Sequence, residues 1–348
     1  KVILKGLKPQ TTYQYVVSID GQKNESSKQR FTTFNQVGNA GNFRLAFGGG
    51  AGFVPQHEYI WNTIADTEPQ ALFQLGDNVY IDNTDVMDMH HYCYYRRQSR
   101  SEYRALVSGV SVFSIWDDHD FGLNDCSGGP GIETPKWKRS TYEIFRDNWA
   151  NPAYGGGDKQ PGIWWDTYIN DVHFICIDGR YYRTNPKTTK GKLSMLGSAQ
   201  KYWLLNTIKK SKGTFKVLVS PVPWVFKAKG DSKDTWNGFK DERNEIFQFL
   251  KENNIKGVLL MSADRHRSDL WKIDRSDDYS LYEFNSSRLT NQHVHKTMDE
   301  AIYSYNAKQS FGTVDFDTQA KDPTATYAVH SIDGEQIYKF TVKRSQLE

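Results

Sequence analysis

The chain has 348 residues, enough to bury a large core in one sizeable domain with a smaller one beside it. Its 44 basic and 41 acidic residues are interspersed and leave a net charge of only +3, so no specific nucleic-acid recognition is expected. No apolar run approaches the roughly 20 residues that span a bilayer, and three cysteines (Cys93, Cys126, Cys176) are too few and too odd in number for a disulfide framework.

In chain order, Lys1-Val2-Ile3-Leu4 reads as a strand, Gly6 to Val17 as a Pro9 turn followed by an alternating strand, and Gln29-Arg30-Phe31-Thr32-Thr33-Phe34 as another. These segments look like the later strands of a fibronectin-type β-sandwich. Residues 1–36 are therefore expected to be a partial N-terminal sandwich, with earlier strands and any leader upstream of Lys1. After a polar connection at 35–42, the apolar run Phe43-Arg44-Leu45-Ala46-Phe47 enters the turn Gly48-Gly49-Gly50-Ala51-Gly52. Helical spacing follows at 58–65, 139–149, 198–209 and 242–251. Strands are expected at 164–169, 172–177, 215–220 and 255–262, and the chain returns to β at 312–342. Interleaved βαβ stretches and hairpins predict an α/β sandwich of mixed sheets over 37–348. Cys176, inside an apolar strand, reads as a small core residue. The 10 Trp and 20 Tyr suit either the walls of a sugar-like site or a compact core, and composition does not separate the two.

Three strand ends carry the chemistry. The apolar run 110–115 leads into Trp116-Asp117-Asp118-His119-Asp120, the run 71–75 into Gly76-Asp77-Asn78-Val79-Tyr80, and the run 257–262 into Ala263-Asp264-Arg265-His266. One acidic cluster after a strand is commonly a solvated loop or a helix cap. Three of them, each with a second donor within three residues, are expected to converge where open α/β sheets collect their ligands. Asp77 has two oxygens and can bridge two ions, Tyr80 can add a phenolate, and Asp118 can bind the second ion. His119 is placed to protonate a leaving oxygen. Asp264 and His266, one residue apart on an extended strand end, should face the same side and take one ion each. Two ions about 3.5–4 Å apart activate water and clamp an in-line phosphoryl displacement, which makes phosphate-ester hydrolysis the natural outcome.

At these residues the chain resembles the PhoD-like alkaline phosphatases and phosphodiesterases, a branch of the calcineurin-like metallophosphoesterases. The resemblance runs through Arg30-Phe31-Thr32-Thr33, Gly76 to Tyr80, Trp116 to Asp120, Asp178-Gly179-Arg180-Tyr181-Tyr182-Arg183, Asp234-Thr235-Trp236-Asn237-Gly238-Phe239 with Glu242-Arg243, and Ser262 to His266. It implies a four-layer αββα sandwich, with Asp77, Tyr80, Asp118, Asp264 and His266 as metal ligands and His119 as the catalytic imidazole. It also implies calcium and/or iron, with zinc, manganese or magnesium as other occupants, and an exported protein, secreted or periplasmic. In that family the first strand commonly ends in a Cys that ligates iron, where this chain has Gly50. The first site is then weakened: it has one ligand fewer, takes another ion such as calcium, or is absent, and loss of a thiolate favours oxygen-preferring ions. A cysteine restored at Gly50 would be expected to raise iron retention.

Arg180 and Arg183 are candidate clamps for phosphate oxygens, with a structural salt bridge as the equal alternative. Trp224, after Pro221-Val222-Pro223, and Trp236 are expected to wall the pocket. Asn78 joins these as a substrate-binding candidate, and Asp234 and Arg243 either pair with each other or touch substrate. His293-Val294-His295 has a chelating spacing, but its polar loop context sets it aside. His90-His91 is read as packing or solvated, and the glycine turn, which lacks a Walker Lys-Ser/Thr, as a close backbone approach. The expected function is metal-dependent hydrolysis of a small-molecule or polymer phosphate ester by activated water, His119 assisting departure, with a tilt to diesters. The contrasting reading is a non-catalytic extracellular carbohydrate- or polymer-binding protein with a relic metal site.

Overall fold

The computed structural model describes residues 2–23 and 29–348. Four short strands, β1 (Thr12–Tyr15), β2 (Ser18–Ile19), β3 (Gln22–Lys23) and β4 (Gln29–Thr32), form two antiparallel pairs, β1 with β4 and β2 with β3. Tyr13 stacks on Phe31 at 5.7 Å, and the Tyr15 hydroxyl donates to the Ser108 carbonyl at 2.7 Å, anchoring this segment to the larger body of the chain. The first expected strand is not formed at Val2, Ile3 and Leu4, which are 88, 81 and 57% exposed; an apolar run with no ladder partner among the described residues gains nothing from extension. Lys1 lies outside the described residues.

Then follow β5 (Asn42–Gly48), α1 (Ile60–Asp66), β6 (Ala71–Leu75), α2 (Met87–Gln98), α3 (Ser101–Val107), β7 (Ser111–Ile115), α4 (Asp118–Phe121) and α5 (Trp137–Asn148). Next come β8 (Trp165–Ile169), β9 (Val172–Cys176), α6 (Gly197–Lys210), β10 (Phe215–Val219), α7 (Lys240–Glu252) and β11 (Val258–Ser262). The chain finishes with β12 (Ser268–Arg275), β13 (Asp278–Ser286), β14 (Tyr303–Tyr305), β15 (Ser310–Asp317), β16 (Thr324–Ser331) and β17 (Gln336–Lys343). The four helices marked in the sequence are α1, α5, α6 and α7. By contrast Met-Asp-Met-His-His-Tyr-Cys-Tyr-Tyr-Arg-Arg-Gln of α2 carries little helical periodicity, and α3 follows it as a single short segment of seven residues, no longer than α1.

A six-stranded sheet runs β17-β16-β15-β5-β6-β7, parallel from β5 to β7, and a seven-stranded sheet runs β14-β12-β13-β11-β10-β9-β8, parallel from β13 to β9. The parallel strands β6, β9, β10 and β11 are buried along their whole length, which is why they read as predominantly apolar runs, interrupted only by Gln74, His173, Lys216 and the terminal Ser262. The sheets meet through aromatic rings: Phe73 lies 4.8 Å from Phe174, Phe284 4.8 Å from Tyr327 and Phe215 5.7 Å from Phe316. Much of the aromatic content therefore builds the core. Cys176 is buried within it, and none of the three cysteines is in a disulfide.

Candidate metal centre

Tight turns follow β6, β7 and β11. Gly76 (φ 101°) carries the chain off β6, and a Cβ there would lie 2.6 Å from that of Asp117, so glycine is required where the first two turns touch. The couple after β11 departs from expectation. Asp264 (φ 64°) and His266 (φ 45°) are left-handed, not extended, and it is this bent turn that delivers both side chains to one cavity.

That cavity, about 440 Å³, is lined by all six residues expected as metal ligands or acid: Asp77, Tyr80, Asp118, His119, Asp264 and His266. The Tyr80 hydroxyl lies 3.1 Å from Asp77 Oδ2 and 3.1 Å from His266 Nε2. Asp77 Oδ1 and His266 Nδ1 are buried with no hydrogen-bond partner among the described residues. Burial, reinforced by the charge of Asp118, pushes the Asp77 carboxyl well above its ordinary range. Burial likewise lowers His266 to about 3, leaving its imidazole neutral. Orphaned carboxylate and imidazole lone pairs around one space are a donor set short of a cation, and they fit a metal ion.

His119 is held from behind. Its Nδ1 lies 2.5 Å from Asp82 Oδ1 and its ring packs on Tyr80 at 4.2 Å. Burial would lower its pKa, but the hydrogen bond to Asp82 and the charges of Asp77 and Asp118 outweigh burial and hold it up at about 10. Asp82 was not singled out in the sequence; its only signal is its place five residues after Asp77 in the same turn. Asp120 is a support: its carboxylate accepts from the backbone N–H of Asn78 (3.0 Å), Val79 (3.2 Å) and Asp117 (3.1 Å), tying two turns together.

Several expected substrate contacts lie elsewhere. Asn78 is buried outside the cavity lining, with Nδ2 donating to the Ile115 carbonyl at 2.9 Å, so it positions the turn. Trp224 and Trp236 are fully buried and stack on each other at 4.6 Å, so neither walls the cavity; their rings complete the core beyond β10. Asp234 and Arg243 do not pair: the Arg243 guanidinium sits 3.3 Å over the Phe226 ring. His90 is buried, with Nε2 2.7 Å from the Asn83 carbonyl.

Of the two readings left open for Arg180 and Arg183, the geometry is that of the salt bridge. Arg180 is fully buried, with Nε 2.5 Å from Asp117 Oδ1, Nη1 2.8 Å from Asp234 Oδ1 and Nη2 3.6 Å from Asp118 Oδ1, and Arg183 Nη2 lies 2.8 Å from Asp234. Burial opposes ionisation of Asp234, yet Arg180, Arg183 and Lys229 hold it well below the usual carboxylate range. Arg180→Ala strands these carboxylates and should cost about 3–5 kcal/mol in chemical denaturation. A raised KM in a fully stable variant would instead mark a substrate clamp.

Residues passed over in the sequence also line the cavity. Lys229 Nζ is 3.1 Å from Asp234 Oδ2 and 3.6 Å from Asp264 Oδ1. His293 and His295, set aside for their loop context, are brought beside His266. The glycine turn does approach the centre, since Ala51 N–H donates to the Asp77 carbonyl at 2.7 Å. A side chain at Gly50 would be strained, however: φ is 70° and a Cβ would press on the Arg288 nitrogen at 3.0 Å and Ser287 Oγ at 3.1 Å. Gly50→Cys should therefore lose about 1–3 kcal/mol of stability without gaining iron, checked by thermal melts and elemental analysis.

Facing mixed sheets, with parallel strand ends that gather carboxylates, a phenol and imidazoles, define the α/β metallophosphoesterase class. The chain belongs to the PhoD-like phosphatase family, whose model matches residues 45–344. It is 23% identical over 350 residues to alkaline phosphatase D of Bacillus subtilis (strain 168), covering 83% of this chain and 59% of that relative's length. Among solved structures, that of PhoD superposes with a TM-score of 0.78 at 16% identity, covering 97% of this chain and 75% of the other. Purple acid phosphatase PPD1 from yellow lupin (Lupinus luteus) seeds gives 0.68 at 13% identity, covering 98% and 61%. At these identities the structural likeness concerns the fold.

Proposed function

We propose that the chain hydrolyses phosphate esters, as a phosphodiesterase, an alkaline phosphatase or both. The observation that carries this reading is the meeting of Asp77, Tyr80, Asp118, Asp264, His266 and His119 at one cavity in a chain of this family. The first five would hold the metal ions, calcium and/or iron or another divalent ion. Such ions would supply Lewis acidity, polarising phosphoryl oxygens and lowering the pKa of water so that a hydroxide nucleophile is available near neutral pH.

The protein's own groups do the remainder. Asp82 accepts from His119 Nδ1, which leaves Nε2 to carry the proton that a departing alkoxide needs. Lys229 presents an ammonium at the cavity wall, where non-bridging phosphate oxygens can pair with it. A neighbouring cavity of about 660 Å³ shares Asn124 and Asp125 with the first, room for the second ester group of a diester. Small-molecule or polymer phosphate esters are the proposed substrates.

Four-layer αββα packing over 37–348, a partial β-sandwich over 1–36 and a secreted or periplasmic location belong to the same proposal. Among the described residues no helix is long and apolar enough to cross a membrane. Bis- and mono-p-nitrophenyl phosphate, assayed with calcium, iron, zinc and manganese, test the activity. Hydrolysis of neither ester with any of these ions overturns the enzymatic reading.

A further inference from the structure

We propose that His293 and His295 join His266 to hold one transition-metal ion, giving the cavity a nitrogen-rich metal site beside its carboxylates. The inference rests on the metal-dependent reading above and names the ion class that this side of the cavity selects.

The three rings form a compact triad. The centroids of His293 and His295 each lie 5.1 Å from that of His266 and 4.6 Å from one another, and one nitrogen from each residue falls within 4.8 Å of the other two. His295 is oriented from behind, its Nδ1 2.9 Å from the Arg265 carbonyl. A carbonyl only accepts, so Nδ1 carries the proton and Nε2 presents a lone pair, the arrangement typical of a metal-ligating histidine. That lone pair faces His293 Nε2 at 3.0 Å. Across from them His266 keeps a buried Nδ1 with no partner among the described residues.

The loop that brings these rings is pinned. His293 N–H donates to Asn291 Oδ1 and Asn306 Nδ2 to the His295 carbonyl, both at 2.9 Å, while Asn291 N–H donates to the Gly50 carbonyl at 3.2 Å. The backbone that closes over Gly50 thus continues directly into the His-x-His pair, so the donors on this side of the cavity are imidazoles from the loop. Three imidazole nitrogens suit zinc, cobalt, nickel or copper, whereas calcium and magnesium take oxygen ligands.

The test is metal binding by the full chain: zinc affinity by competition with a chromophoric chelator, and the visible spectrum of bound Co²⁺ as a report of nitrogen coordination. His293 is exposed, so His293→Ala should leave the metal-free melt unchanged. Zinc affinity is expected to fall by more than about 100-fold in His293→Ala, beyond the penalty typical of groups one shell further out, and further still in the double variant with His295→Ala, with the cobalt bands lost. Unchanged zinc affinity and cobalt spectrum in folded His293→Ala would overturn the site, even if the double variant does not fold. Failure to hydrolyse any phosphate ester would sink the phosphoesterase reading alone and leave this titration to stand by itself.

Discussion

Asp77→Asn should release metal and abolish hydrolysis together. Asp77 sits between Tyr80 and the Asp118 turn with one carboxylate oxygen buried and without a partner among the described residues, so the amide removes a charged donor from the centre. Loss of a direct ligand should exceed the roughly 10–100-fold penalty typical of groups one shell further out. The metal-free protein should respond in the opposite direction. Burial and Asp118 raise the Asp77 pKa in the folded state, so above the unfolded value its ionised form opposes folding. The neutral amide relieves that, and melts in chelator at alkaline pH should rise. Metal content and turnover equal to wild type would remove Asp77 from the centre.

His119→Ala should lower turnover about 10²–10⁴-fold, the usual worth of a positioned acid, while metal content stays unchanged. Asp82→Asn separates positioning from packing. Asp82 is one of the groups that raise His119, so its loss should shift the limb where the acid loses its proton to lower pH. An Asp82 that merely packs would change stability and leave the pH profile in place. Turnover unaffected by His119→Ala would end its assigned role.

The parts of the site legible in the sequence are those where each residue's own element settles its position. The runs at 71–75, 172–176, 215–219 and 258–262 are buried on both faces, so they are written as mostly apolar stretches, and the polar residues clustered just beyond them mark the strand ends. Asp120 acts within its own turn, three residues from Asp117, whose N–H donates to its carboxylate, so its place follows from local sequence. Arg180 was ambiguous for a different reason. A guanidinium near a phosphate site and one neutralising buried carboxylates look identical until Asp117 and Asp234, 63 and 54 residues away, are seen beside it. Trp224 and Trp236 share that ambiguity, since a ring near a site and a ring sealing a core have the same apolar surface.

The sequence by itself determined the alternation of strands and helices, the three acidic turns, the presence of His119 behind Asp118 and the lack of a side chain at Gly50, because these depend on local periodicity and residue chemistry. Only the tertiary structure decided that Asp82 backs His119, that Arg180 faces inward, that the turn after β11 is left-handed, and that His293 and His295 reach His266 across 27 and 29 positions. Those contacts are made between separate strand ends and a loop. Their distances follow from how two sheets pack, and no pattern within a single segment carries that information.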